Sequence, residues 1–206
     1  MKKITLTSLL IVMCIPLAFS QKTKQDSTYR KFFVGSTLAL LGNFIPDDTN
    51  PPELIQLHFG WQITPNDVVS VEFKTWRYAW PLGIPYGKSF QAPGENYPGH
   101  VKAYGIGLVY QRFWWKGLYT SIDAGNMLQK YMDEENKHIQ NGYQLFMTFR
   151  LGYQLQFFKD RLFLEPSVAI TNWSINTNVP ESFAAIEAKW PKYFLFEPGL
   201  HFGVKF

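Results

Sequence analysis

The chain has 206 residues, a formal net charge of +4 and one cysteine, Cys14, and 46% of its residues are hydrophobic. So small an excess of charge supplies no basic patch for nucleic acid, and no apolar run reaches the roughly 20 residues that a membrane-spanning helix needs. The length suits one domain.

The N-terminus reads as a secretory signal peptide over residues 1–20. Met1-Lys2-Lys3 is a short basic start, residues 4–19 are mostly apolar, and Ala18 and Ser20 are the small residues of a cleavage site before Gln21. A single-span anchor would need a longer stretch without Pro16. A lipoprotein would need small residues around Cys14 in place of Val12, Met13 and Ile15. Cleavage removes two lysines and the cysteine, leaving a charge of about +2 and no thiol. Disulfides, thiolate catalysis and cysteine metal sites are thereby excluded. Residues 21–29 are polar with nothing to bury, so a short tail is expected ahead of a domain over residues 30–206.

From residue 30 onward, period-two alternation recurs in about eight segments. They lie near residues 30–43, 54–64, 68–80, 100–113, 118–130, 142–158, 161–174 and 192–206. No segment has helical periodicity beyond a turn or two, and Ala184-Ala185-Ile186-Glu187-Ala188-Lys189 is the one candidate helical turn. Short links at Thr64-Pro65-Asn66-Asp67, Trp115-Lys116-Gly117 and Lys159-Asp160-Arg161 carry turn-forming residues or a charge cluster. Longer links fall near residues 44–53, 81–99, 131–141 and 175–191, so the lengths alternate along the chain.

Each segment has two unlike faces. Ile55, Leu57, Phe59, Trp61 and Ile63 alternate with Gln56, His58, Gly60 and Gln62; Leu145, Met147, Phe149, Leu151, Tyr153, Leu155 and Phe157 alternate with Gln144, Thr148, Arg150, Gly152, Gln154 and Gln156. Parity alone does not say which face is inside. A lipocalin-like barrel turns the apolar face inward, and a membrane barrel turns it outward. Aromatic residues near strand ends (Trp61, Trp76, Tyr78, Trp80, Tyr110, Trp114, Trp115, Tyr119, Tyr153 and Tyr193) suit the interfacial girdles of a membrane barrel.

The last segment, Phe196-Glu197-Pro198-Gly199-Leu200-His201-Phe202-Gly203-Val204-Lys205-Phe206, alternates to its end and closes on an aromatic residue. It resembles the C-terminal strand of Gram-negative outer-membrane β-barrel proteins, whose terminal aromatic, here Phe206, is an assembly signal for the barrel assembly machinery. With the leader and the alternating links, nearly the whole mature chain is similar in plan to the OmpA-transmembrane-domain and OmpX-like groups, without a family-specific motif. The resemblance implies an all-β, roughly eight-stranded antiparallel transmembrane barrel. Its turns and both termini would be periplasmic, its long loops extracellular, and its location the cell outer membrane, among outer-membrane lipid and lipopolysaccharide.

A barrel of this size is filled by its own side chains. The inner face would hold Glu72, Lys74, Asp123, Arg150, Glu165, Glu197 and Lys205 as an ion network, with Arg150 pairing Glu165 or Glu197, and the histidines His58 and His201. Phe163-Leu164-Glu165-Pro166 and Leu195-Phe196-Glu197-Pro198 each set a proline beside an inward carboxylate, where a bulge is expected. No histidine spacing suggests a metal site, no cofactor is implied, and no serine is marked as a nucleophile beside a histidine. The lipid A deacylase family places histidine and serine two apart on one strand, and no such pair occurs here. The expectation is a non-enzymatic barrel with an envelope-structural or loop-mediated role; a lipid-modifying enzyme (acyl hydrolase or acyltransferase) and a barrel passing a small hydrophobic solute are the alternatives. The loop over 81–99 is proline-stiffened and aromatic, so Trp80, Tyr86, Phe90 and Tyr97 are the candidate contacts for a protein partner.

Overall fold

A computed structural model describes residues 30–44, 52–81 and 93–206. The leader and tail expected over residues 1–29 lie outside the described residues, as do Tyr86 and Phe90. The fold is a nine-stranded antiparallel sheet: β1 (Phe32–Thr37), β2 (Ile55–Gln62), β3 (Asp67–Tyr78), β4 (His100–Trp115), β5 (Leu118–Met132), β6 (His138–Tyr153), β7 (Leu155–Phe157), β8 (Leu162–Thr177) and β9 (Tyr193–Lys205). Neighbours in sequence pair in space except β6 and β7, which both pair with β8, and β1 also pairs with β9, so the sheet closes into a ring.

The count is nine where about eight was expected, and the difference lies at Gln154. The ladder from β6 to β8 stops at Gly152↔Ser167 and resumes from β7 at Leu155↔Leu164. Opposite the interruption stands Pro166, which has no N–H to give a ladder. The Gln154 N–H turns instead to the Gly117 carbonyl at 2.7 Å. Pro166 itself stays in register with Leu200 on β9. The other expected bulge is displaced: between Ala169↔Glu197 and Ile170↔Leu195 the extra residue is Phe196, at φ 62°, two positions before Pro198.

β1 is shorter than its alternation suggested. Thr37 Oγ1 accepts the Ala39 N–H at 3.2 Å, a local turn that competes with the ladder, and residues Leu38–Phe44 wind into a 3-10 helix. Asn43 pins that helix across to Leu54, donating to its carbonyl and accepting its N–H, both at 2.7 Å. β9 therefore has β8 along one edge but meets β1 only as far as His201, and among the described residues no strand covers that edge above it. The β5–β6 link is also tighter than expected, residues 133–137 only.

The sense of the faces is inside-out relative to a soluble barrel. On the outside, Leu108 is 64% exposed, Ile106 52%, Trp61 53% and Leu151 50%; on the inside, Glu72 is 2% and Thr171 0% exposed. Buried Ser70, Gln111, Asp123, Gln129, Gln144, Thr148 and Glu165 continue the polar interior.

Four residues expected in the outer aromatic girdle are inside. Trp76 and Tyr78 share the inner parity of Glu72 on β3, Tyr119 shares that of Asp123 on β5, and Trp80 packs on the same interior cluster. Nearness to a strand end was legible in the sequence, but which face each ring takes follows from parity. Trp61, Tyr110, Trp114, Trp115 and Tyr153 are exposed around the short-turn rim, and Tyr193 is exposed at the other end. The first and last strands meet at the short-turn rim: Phe206 and Phe32 exchange backbone hydrogen bonds at 2.9 and 3.2 Å, and the Phe32 ring lies between Phe206 and Trp61, with centroids 6.4 and 6.5 Å away.

At the long-loop end, the β8–β9 connection forms the helix α1 (Glu181–Glu187). Its Phe183 is completely buried, with ring centroids 4.7 Å from Tyr97 and 5.1 Å from Tyr131. Tyr78, Val101, Ala103, Met127, Phe146 and Trp173 complete this cluster. The inside of the barrel is thus apolar and plugged near the long loops, and polar below.

Candidate functional site

Beneath the plug lies a cavity of about 250 Å³. Period-two alternation on β2, β3, β5, β6 and β9 delivers His58, Glu72, Lys74, Asp123, Arg150, Glu197 and His201 to it. The Glu72 carboxylate is the best-satisfied group: it takes the Lys74 ammonium at 2.7 Å, the Gln56 amide at 2.7 Å and the His58 ring nitrogen at 3.1 Å. Gln56 also bonds His58 at 2.9 Å, and the His58 and His201 rings stand edge to face, 5.8 Å between centroids.

Arg150 donates to the Ser167 hydroxyl at 3.0 Å and approaches Glu197 at 3.9 Å, while Thr171 donates to the other Glu197 oxygen. Of the two partners expected for Arg150, the structure provides Glu197. Gly199 makes room for this guanidinium, since a Cβ there would fall 2.1 Å from its nearest nitrogen. Glu165 is held apart by two neutral donors, Gln111 at 2.9 Å and Gln154 at 2.7 Å. Lys205 donates to the Gln154 side-chain oxygen at 2.6 Å, toward the short-turn end. The seven charges expected to form one network are therefore divided, with Glu165 and Lys205 bridged by a glutamine below the rest.

Asp123 differs from every other acid in the cavity. It is 8% exposed, yet its Oδ1 has no hydrogen-bond partner, and among the described residues no cation reaches ion-pair distance of it. Gly107 lets it sit close to β4, because a Cβ there would lie 2.9 Å from Oδ1.

The neutral partners Gln56, Gln111, Gln154 and Thr171 were missed as site residues; their inward parity beside a carboxylate-bearing strand was the available signal. Of the candidate loop contacts, Tyr97 is buried in the plug and donates to Glu187 at 2.9 Å, and Trp80 packs on the same cluster. Both pack into the closure. Burial, with the Glu187 carboxylate beside it, pushes the Tyr97 hydroxyl well above the usual tyrosine range. Neither His58 nor His201 is hydrogen-bonded to a serine among the described residues; Ser36 and Ser167 donate to the carbonyls of Gln56 and Gly199. No family model matches this chain, and no curated protein or solved structure is significantly similar to it.

Proposed function

We propose that this protein is a small outer-membrane β-barrel with an envelope-structural or loop-mediated role, closed to free flow by its own long-loop end. The observation that carries the reading is the inversion of the fold: a continuous apolar exterior around a hydrogen-bonded polar interior. In water such a surface drives association, whereas in a bilayer it is the favourable solvent contact, and a closed ring leaves few backbone groups unpaired in lipid. Exposed Trp61, Trp114 and Trp115 at one rim suit an interfacial belt. Phe183 and the rings around it oppose a through-channel.

The test is fractionation of cells with the full chain expressed, followed by gel electrophoresis with and without heating. Recovery in the outer-membrane fraction, with a mobility shift on heating, supports the reading. A monomer soluble without detergent overturns it. In planar bilayers the intact protein is expected to show no steady conductance.

A further inference from the structure

We infer that the cavity is a binding site for a small amphiphile with a primary ammonium head and a compact apolar body, the head held by Asp123. The inference goes beyond the proposed role and does not depend on it.

Charge sets the choice of head group. Among the described residues, the acids facing the cavity are Glu72, Asp123, Glu165 and Glu197, and the permanent cations are Lys74 and Arg150. Lys74 is committed to Glu72 at 2.7 Å, and Arg150 is divided between Ser167 and Glu197. Glu165 is satisfied by two glutamine amides. What remains is the buried Asp123 oxygen with no donor, and a buried acceptor of this kind is costly until one arrives. An added anion would find both cations occupied and an excess of carboxylates. An ammonium would supply both the missing charge and the missing donor.

Volume and walls set the choice of body. At about 250 Å³ the space exceeds the roughly 150 Å³ of an apolar cavity that accepts benzene. Phe33, Trp76, Phe146, Phe163 and Phe202 line it, so a purely aqueous filling would wet aromatic surface. The cavity also reaches Ala39, Gly42, Pro52 and Leu54 on the β1–β2 connection, where β1 has ended and the β9 edge lacks a strand neighbour among the described residues. Ala39 both lines the cavity and is exposed, which puts the mouth at the side of the barrel.

The experiment titrates the full chain, refolded in the uncharged detergent octyl glucoside, with phenethylamine, 2-phenylethanol and 3-phenylpropionate, read by calorimetry and by the fluorescence of the tryptophans beside the cavity. The expected result is that phenethylamine binds tightest, and that Asp123→Asn weakens it about tenfold or more, the loss of one charge-assisted hydrogen bond, while 2-phenylethanol is unaffected. Equal binding of the three probes, no binding, or undiminished amine binding to Asp123→Asn overturns the proposal. Should circular dichroism show that Asp123→Asn does not fold, Ala39→Trp decides, since it bulks the exposed mouth and leaves the floor intact. Loss or marked slowing of amine binding then supports the site, and unchanged binding overturns it.

Discussion

The upper and lower halves of the barrel interior solve the same packing problem with opposite chemistry. Near the long loops, Tyr78, Tyr131, Phe146, Trp173 and Phe183 fill the space as a conventional core. Below, each acid but Asp123 is surrounded by donors chosen for it: Lys74, Gln56 and His58 for Glu72, and Gln111 with Gln154 for Glu165. The upper half closes by ring against ring, which excludes water. The lower half is tied by hydrogen bonds around a cavity. A narrow barrel can therefore be plugged at one end and hollow below.

The largest expected effect probes the polar half. Lys74→Met leaves Glu72 buried without its cation and is expected to destabilise the fold by about 3–5 kcal/mol, read from urea unfolding in micelles or vesicles. The double change Glu72→Gln with Lys74→Met should recover most of that loss; no recovery would mean that packing around Lys74, and not its charge, carries the effect. In the apolar half, Phe183→Ala empties a fully buried ring site and should cost about 3 kcal/mol. It should also admit ion current in planar bilayers where the intact protein passes none, and a silent variant would show that α1 is not the closure. Tyr97→Phe tests the polar rim of the plug, since it removes the donor to Glu187 while Asn176 remains at 2.5 Å; about 1 kcal/mol is expected from the same unfolding measurement. Smallest, and outside both halves, is the β7–β8 turn. There Phe158, Lys159 and Asp160 all have left-handed φ of 52–62°, and Asp160→Gly should raise stability by up to about 1 kcal/mol.

Alternation made the strands and their faces legible because a period of two survives any register. Ile55, Leu57, Phe59 and Trp61 could be assigned to one face before the side they look toward was known, and exposure then fixed it as the outside. The end of β1 was not legible: Leu38-Ala39-Leu40-Leu41 continues an apolar run, and the turn is set by a Thr37 side-chain contact and by Asn43 reaching Leu54 across the connection. Phe183 was hidden for a similar reason, since one buried ring in a loop has no period. In the candidate site the charged residues stood out by type, but their division did not, because it depends on glutamines whose role appears only when strands distant in sequence face each other across the lumen. Pro166 was correctly marked as a point of disturbance, yet the disturbance fell on the partner strand, at Gln154.

The early end of β1 also makes the ring unequal around its circumference. β5 and β6 are joined along fifteen residue pairs, whereas β1 and β9 share five, supplemented by the terminal exchange between Phe32 and Phe206. The junction of the first and last strands is thus as short as the β1–β2 seam and shorter than every other once β7 is counted with β6. Amides along it should trade their hydrogens for deuterium before those of the β4–β6 staves, and the molecule should unzip from where β1 meets β9.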